Sequence, residues 1–156
     1  MTELTVADLA DHPEAIPILA EWFSQEWGCG RPEMAPAAIA ERLAAGVSRD
    51  TLPICLLGLL DDEPVATATL KFREIDFAPE ADYWLGSVYV REDRRGRGLG
   101  RQIIAAAEAV ASAAGLTPLY LYSRGKESFY RELGWETVAE AIVTGSAAVV
   151  MTRSPV

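Results

Sequence analysis

The stretch Ser87–Ala114 reads SVYVREDRRGRGLGRQIIAAAEAVASAA and decides the fold. Its β-branched and aromatic opening predicts a strand that ends at Val90. Its alanine-rich end predicts a helix beginning at Leu99, which Gly115 would stop. The apolar face of this helix is expected to carry Leu99, Ile103, Ala107, Val110 and Ala114.

The loop between the strand and the helix combines glycines with arginines. The glycines are residues 96, 98 and 100, and the arginines are residues 91, 94, 95, 97 and 101. No Ser, Thr, Asp or Asn stands before Leu99 to cap the helix, so its first N–H groups are left for another acceptor. Glycines let a ligand approach the backbone closely. The loop therefore predicts a phosphate or pyrophosphate site; the alternative is an exposed, flexible basic loop.

The spacing of the glycines narrows the choice of phosphate ligand. No Lys follows them as a P-loop requires, and the acidic ribose ligand of a dinucleotide fold is missing. What remains is Arg95-x-x-Gly98-x-Gly100 after the strand. This pattern resembles the acyl-CoA pyrophosphate loop of the GCN5-related N-acetyltransferase (GNAT) family. Downstream, Phe129–Trp135 reads FYRELGW and is similar to a second motif of that family.

The resemblance implies the fold. We expect an α/β (α+β) chain in which residues 1–156 form one GNAT domain. Its central sheet should have about six to seven strands, mixed but mostly antiparallel, flanked by about four helices. A strand–helix–strand crossover makes the central pair of strands parallel. In the family this pair is splayed.

The resemblance also implies an activity. The family transfers the acetyl group of acetyl-CoA to a primary amine by direct attack within a ternary complex, and the acceptor is a small-molecule amine or the amine of a lysine or an N-terminus. The residues expected to bind acetyl-CoA are Val88, Tyr89, Val90, Arg95, Gly96, Arg97, Gly98, Leu99, Gly100, Arg101 and Ser123. Two alternatives stay open: a non-catalytic acyl-CoA sensor or interaction module on the same fold, and a nucleotide-binding domain.

Two residues are expected to handle protons. Tyr130 matches the family tyrosine that protonates the leaving thiolate; its alternative role is a buried structural hydrogen bond. A carboxylate near the central strand should take the proton of the amine. Asp82 is the first candidate, because residues two apart in a strand point to the same face and Asp82 therefore lies on the same face as Trp84. The weaker candidates are Glu74, Asp76, Glu80 and an ordered water.

Composition limits the partners. The chain has 156 residues and a net charge of −9, which argues against nucleic acid. It has no apolar run of membrane-spanning length. Cys29 and Cys55 fit no metal spacing, so we expect no metal, reduced thiols and a cytoplasmic protein.

The acidic residues of loop 74–82 favour a cationic amine as the acceptor. Dimers are common in the family, so a homodimer is a further expectation.

The remaining elements follow from apolar patterns and breakers. Trp22, Phe23 and Trp27 are read as core residues, with substrate contact as the alternative. The predicted helices are a first one from Asp11 or His12 (or Pro17) to Trp27, then Ala37–Ala45 and Lys126–Leu133. The predicted strands are Leu4–Val6, Pro53–Leu60, Val65–Phe72, Leu119–Tyr122, Val138–Val143 and Ala147–Thr152.

Overall fold

The computed structural model describes residues 3–154. Seven strands form one sheet in the order β1-β2-β3-β4-β5-β7-β6. The strands are β1 (Thr5–Asp8), β2 (Ile54–Leu60), β3 (Glu63–Phe72), β4 (Tyr83–Val90), β5 (Leu119–Ser123), β6 (Glu136–Val143) and β7 (Ser146–Arg153). The α-helices are α1 (Ile16–Trp27), α2 (Pro36–Gly46), α3 (Leu99–Ala113) and α4 (Glu127–Glu132).

The connections explain why the sheet is mixed. β2 and β3 form a hairpin around Asp61 and Asp62, whose φ angles of 50° and 65° fit a tight turn matching the strand twist. β4 pairs antiparallel with β3, and α3 then carries the chain across to β5, which lies parallel to β4. Every other neighbouring pair of strands is antiparallel. The predicted mixed sheet with one parallel pair is confirmed.

The helices cover the two faces of the sheet separately. Leu56 and Leu57 are consecutive in β2 and therefore point to opposite faces. Leu56 belongs to a core with α3 and α4, and Leu57 belongs to a core with α1 and α2. We call these the α3 face and the α1 face. The two cores together hold the sheet between layers of helices.

The first helix begins later than the apolar pattern alone indicates. Two 3-10 turns, Leu9–Asp11 and Pro13–Ala15, precede it, and Pro17 lies in its first turn. A proline lacks an N–H and fits only the first turn of an α-helix, so the helix starts immediately before it. The alternative start near Pro17 was therefore the better prediction.

The buried side of α3 differs slightly from the predicted face. Leu99, Ile103 and Ala107 are buried and Val110 packs against the same core as expected, but Ala114 is exposed, and Ile104 and Ala111 are buried in addition. Ala114 falls outside the buried face because α3 ends one residue earlier, at Ala113.

Candidate active site

The loop before α3 presents free main-chain donors. Gly98 precedes the helix with a φ of 80° and no side chain caps the first turn. Among residues 3–154, the N–H groups of residues 96–101 donate to no acceptor, and the first N–H of the helix to find one is that of Gln102, which bonds to the Gly98 carbonyl at 3.2 Å. The predicted uncapped helix start is present, and its unpaired N–H groups form an open cradle of the kind to which anions can bind.

Most arginines of this loop are already engaged. Arg91 bonds Asp93 at 2.6 Å, and Arg101 pairs with Glu132 at 3.1 Å. Arg95 turns back to the strand, where its Nε donates to the Val90 carbonyl at 2.8 Å and its guanidinium lies 5.1 Å from the centre of the Tyr89 ring. Within the described chain, Arg97 is the loop arginine without an ion pair or hydrogen bond, and it is exposed.

β4 and β5 separate next to this loop. Only Tyr83 with Leu119 and Trp84 with Tyr120 are paired between the two strands. Beyond these pairs β4 continues to Val90 and β5 continues to Ser123 without pairing to each other. Unpaired main-chain groups of a strand can bind an extended amide chain as an added strand.

Tyr130 lies on the α3 face of this opening. Its side chain is 8% exposed and packs against Phe129 and Trp135. Burial raises the pKa of Tyr130 to about 12. Its hydroxyl bonds to no group among residues 3–154, which speaks against the alternative of a structural hydrogen bond. Ser123 ends β5 as a buried residue in the same alternation as Leu121, which belongs to the α3-face core.

A cleft of about 560 Å³ opens on the α1 face. It lies between α1 and α2 on one side and β2, β3 and β4 on the other. Its only contribution from β4 is Ser87. The lining residues are Phe23, Trp27, Met34, Ile39, Arg42, Leu43, Gly46, Val47, Leu52, Pro53, Cys55, Thr69, Lys71, Phe72 and Ser87.

A β-bulge brings the cleft to the end of β4. Thr69 pairs with Gly86 and Thr67 pairs with Tyr89, so Ser87 and Val88 together face the single residue between them on β3. Ser87 has a φ of 49°, a left-handed conformation that is unusual for serine. Bulges re-aim side chains next to active sites. Here the bulge sets Ser87 into the cleft one residue before the Val88–Val90 segment.

A short network of polar side chains surrounds the bulge. Lys71 Nζ donates to Ser87 Oγ at 2.9 Å and to Glu74 Oε2 at 2.6 Å. The Glu74 side chain is 13% exposed and lies against Gly86, where an added Cβ would come within 2.6 Å of Glu74 Oε1. Burial, and next the Glu74 charge, raise the pKa of Tyr122. Glu74 is therefore a carboxylate held beside β4 near the cleft.

Asp82 lies elsewhere. It precedes β4 and forms an ion pair of 2.7 Å with Arg73. At about 3.3 Å per residue, the length of β4 puts it roughly 25 Å from Val90. The structure thus does not bring Asp82 together with Tyr130 and Val90, although the sequence placed it first among the candidate bases.

The aromatic residues of α1 divide between the two predicted roles. Trp22 is buried and stacks on Tyr89 at 5.1 Å, as a core residue should. Phe23 and Trp27 line the cleft, and Trp27 is 40% exposed.

The contacts of Glu74 with Lys71 and Gly86 were not predicted from the sequence. Two features of the sequence could have indicated them: Lys71 lies in an otherwise apolar strand, and Gly86 lies inside a second strand, where a glycine often marks a close approach of another group.

The comparisons with known proteins agree with this geometry. Residues 16–135 match the model of the acetyltransferase (GNAT) family, and the chain therefore belongs to that family. It is 29% identical over 131 residues to N-alpha-acetyltransferase 80 of Mus musculus, a match that covers 80% of this chain. The chain spans only 38% of the length of that relative.

Solved structures show the same fold. An aminoglycoside 6'-N-acetyltransferase complexed with coenzyme A superposes with a TM-score of 0.77 at 14% identity, covering 97% of both chains. An acyl-CoA N-acyltransferase from Pseudomonas aeruginosa gives a TM-score of 0.68 at 23% identity, covering 97% of this chain and 99% of its own. At such identities the likeness establishes the fold.

Among residues 3–154, no three His, Cys, Asp or Glu side chains group as metal ligands do. No helix formed by these residues is both long and apolar enough to cross a bilayer. Cys29 and Cys55 are both free thiols.

Proposed function

We propose that the chain is an N-acetyltransferase that moves the acetyl group of acetyl-CoA to a primary amine by direct attack. One observation carries this proposal. The end of β4 meets an open cradle of N–H groups and a gap in the sheet, and the bulge of the same strand meets a cleft on the other face. Two reactants can therefore reach one short segment, Ser87–Val90, from different directions.

In this proposal acetyl-CoA occupies the cradle and the gap. Its pyrophosphate accepts hydrogen bonds from the main chain of residues 96–101, and the free Arg97 guanidinium adds charge. Its pantetheine arm pairs with Val88–Val90 and approaches Ser123. A main-chain N–H near Val90 stabilises the oxyanion that develops on the thioester carbonyl.

In this proposal the Tyr130 hydroxyl donates a hydrogen bond to the sulfur of the leaving group. The raised pKa keeps its hydroxyl protonated throughout the neutral and mildly alkaline range, so it can always donate to sulfur. A free thiol has a pKa of about 8.5, so the hydrogen bond chiefly stabilises the thiolate until a proton follows. The C–N bond forms, the C–S bond breaks and the nitrogen gives its second proton to solvent. The thiolate takes up a proton from solvent, and Tyr130 keeps its own.

The base in this proposal is Glu74 rather than Asp82. A lysine-type amine has a pKa of about 10.4 and arrives protonated. Glu74 lies beside the bulge and accepts a hydrogen bond from Lys71 of the cleft wall, whereas Asp82 is paired with Arg73 at the far end of β4. Glu74 takes the ammonium proton directly or through a water, which leaves the nitrogen lone pair free to attack.

Cys55 supports direct attack over a covalent acyl-enzyme. It lines the cleft, whereas Cys29 does not. Its side chain is buried beside Thr67 Oγ1 at 3.4 Å, and burial raises its pKa. A thiol held protonated is a poor nucleophile.

The test is the release of free CoA from acetyl-CoA in the presence of a panel of amines, beside a calorimetric titration with acetyl-CoA. The names of the relatives make peptide N-termini and aminoglycosides the first amines to include. Amine-dependent CoA release is expected. Binding without turnover across the panel would favour the sensor. A homodimer and a cytoplasmic location stay predictions.

A further inference from the structure

The cleft has the opposite charge to the chain as a whole. Arg42 and Lys71 line it, and among residues 3–154 no aspartate or glutamate does. The complete chain has 23 acidic residues against 14 basic ones. A basic cleft in an acidic protein is arranged to attract a ligand that carries negative charge.

The guanidinium of Arg42 is available to bind a ligand. Among residues 3–154 it forms no ion pair, and its guanidinium donates a hydrogen bond to Met34 Sδ at 3.6 Å; Glu33, the carboxylate on which its charge acts, is already paired with Arg31 at 3.0 Å. A thioether is a weak acceptor, so most of the five N–H donors stay available. Lys71, by contrast, is held by Glu74 and Ser87. The available positive charge of the cleft therefore lies on α2.

The walls around Arg42 are apolar. Phe23, Leu43 and Met34 line the interior, and Trp27 and Phe72 stand at 40% and 58% exposure. The volume of about 560 Å³ is that of a small-molecule site. Such walls bind a hydrocarbon or aromatic body, while Arg42 can bind a carboxylate bidentately.

Resting on the proposed function, we infer that the acceptor is a primary amine with an apolar body and a carboxylate, which Arg42 binds. The amine end points toward Ser87 and Glu74. This class replaces the cationic acceptor expected from loop 74–82. Glu74 and Asp82 are neutralised by Lys71 and Arg73, and the remaining acidic residues of the loop do not line the cleft.

The experiment compares acceptors that differ only by the carboxylate. Initial rates of CoA release give KM and kcat for L-phenylalanine against phenethylamine, and for 6-aminohexanoate against hexylamine. The dipeptide Phe-Gly against its C-terminal amide tests a peptide N-terminus as the source of the amine. Each pair is measured with the natural protein, with Arg42→Gln and with Arg49→Gln. Arg49 pairs with Asp11 outside the cleft and matches the change in charge.

The carboxylate member of at least one pair should have a KM about tenfold lower, because a hydrogen-bonded charge pair forms. Arg42→Gln should abolish this preference, and Arg49→Gln should keep it. Comparing variants cancels differences in amine pKa within a pair. Equal KM values in every pair, or a preference that survives Arg42→Gln, would overturn the inference. If acetyl-CoA binds and no amine releases CoA, the proposed function fails instead.

Discussion

The two sides of β4 are built differently. The cofactor side comes almost entirely from one continuous stretch, the end of β4, the loop and the first turn of α3, with Tyr130 added from α4. The acceptor side is assembled from α1, α2, β2, β3 and β4, whose residues are distant in sequence. In the proposed function the first side binds acetyl-CoA and the second binds the amine, so the side made of distant residues is the one that sets the choice of acceptor.

The largest expected effect lies on the cofactor side. Tyr130→Phe should lower kcat by about 100-fold, since a proton donor in the transition state contributes on that order. Acetyl-CoA binding should change little, because the ring remains. Tyr83→Phe removes a hydroxyl from the other end of β4 and should keep full activity. A kcat equal to that of the natural protein would remove Tyr130 from the mechanism.

The raised pKa of Tyr130 predicts how kcat depends on pH. Its pKa is raised to about 12, so the donor form is complete below that value and is lost only as pH rises through it. From pH 7 to pH 10, kcat should therefore show no decline owed to Tyr130. A fall of kcat with a midpoint near pH 9 that vanishes in Tyr130→Phe would show that the hydroxyl ionises earlier.

The next effect separates two carboxylates on the acceptor side. Glu74→Gln should lower kcat/KM at pH 7 by about 30-fold and recover as the pH rises, because the amine then arrives deprotonated. Asp82→Asn should change kcat/KM by less than about twofold. The reverse order of the two variants would return the base role to Asp82.

Gly86→Ala provides an independent probe of Glu74. The added methyl would displace the Glu74 carboxylate from β4. Because that carboxylate is the end of a flexible side chain, we expect a folded protein whose kcat/KM falls in the direction of Glu74→Gln. Thermal unfolding measures the fold and CoA release measures the activity. Full activity in this variant would mean that Glu74 need not lie against β4.

A smaller effect compares two glycines of the cradle. Gly98 has a φ of 80°, so Gly98→Ala strains the backbone by about 1–2 kcal/mol and should weaken acetyl-CoA binding about tenfold. At Gly100 a Cβ would meet Phe129 and Val90 at an ordinary 3.7 Å. Gly100→Ala should therefore bind acetyl-CoA nearly as well as the natural chain. Calorimetric titration gives both Kd values, and equal weakening would refute the role assigned to Gly98.

The smallest effect concerns Arg97. As an exposed guanidinium beside the phosphates, it should contribute about threefold to the Kd of acetyl-CoA, and less at high salt. Arg94→Gln is the matched control, since Arg94 lies 4.0 Å from Asp93. If both variants weaken binding equally, the loop acts through its total charge and not through Arg97.

The two sides of β4 also differed in how far the sequence predicted them. The uncapped helix start followed from local residues, because a strand, three glycines and the absence of a cap are neighbours along the chain. The partners of Arg91, Arg95 and Arg101 did not, since they depend on side chains that only the folded loop brings within reach. The same holds for Glu74, whose position depends on the absence of a side chain at Gly86 and on the reach of Lys71.

The most direct test of the central claim is a two-dimensional amide NMR titration with CoA. Binding at the cradle predicts large shifts of the N–H signals of residues 96–101 and of Val88–Val90. These shifts should saturate together with one Kd, and in Gly98→Ala they should be much smaller at a CoA concentration equal to the Kd of the natural protein. If CoA binds while the signals of residues 96–101 keep their positions, the account of this site is contradicted.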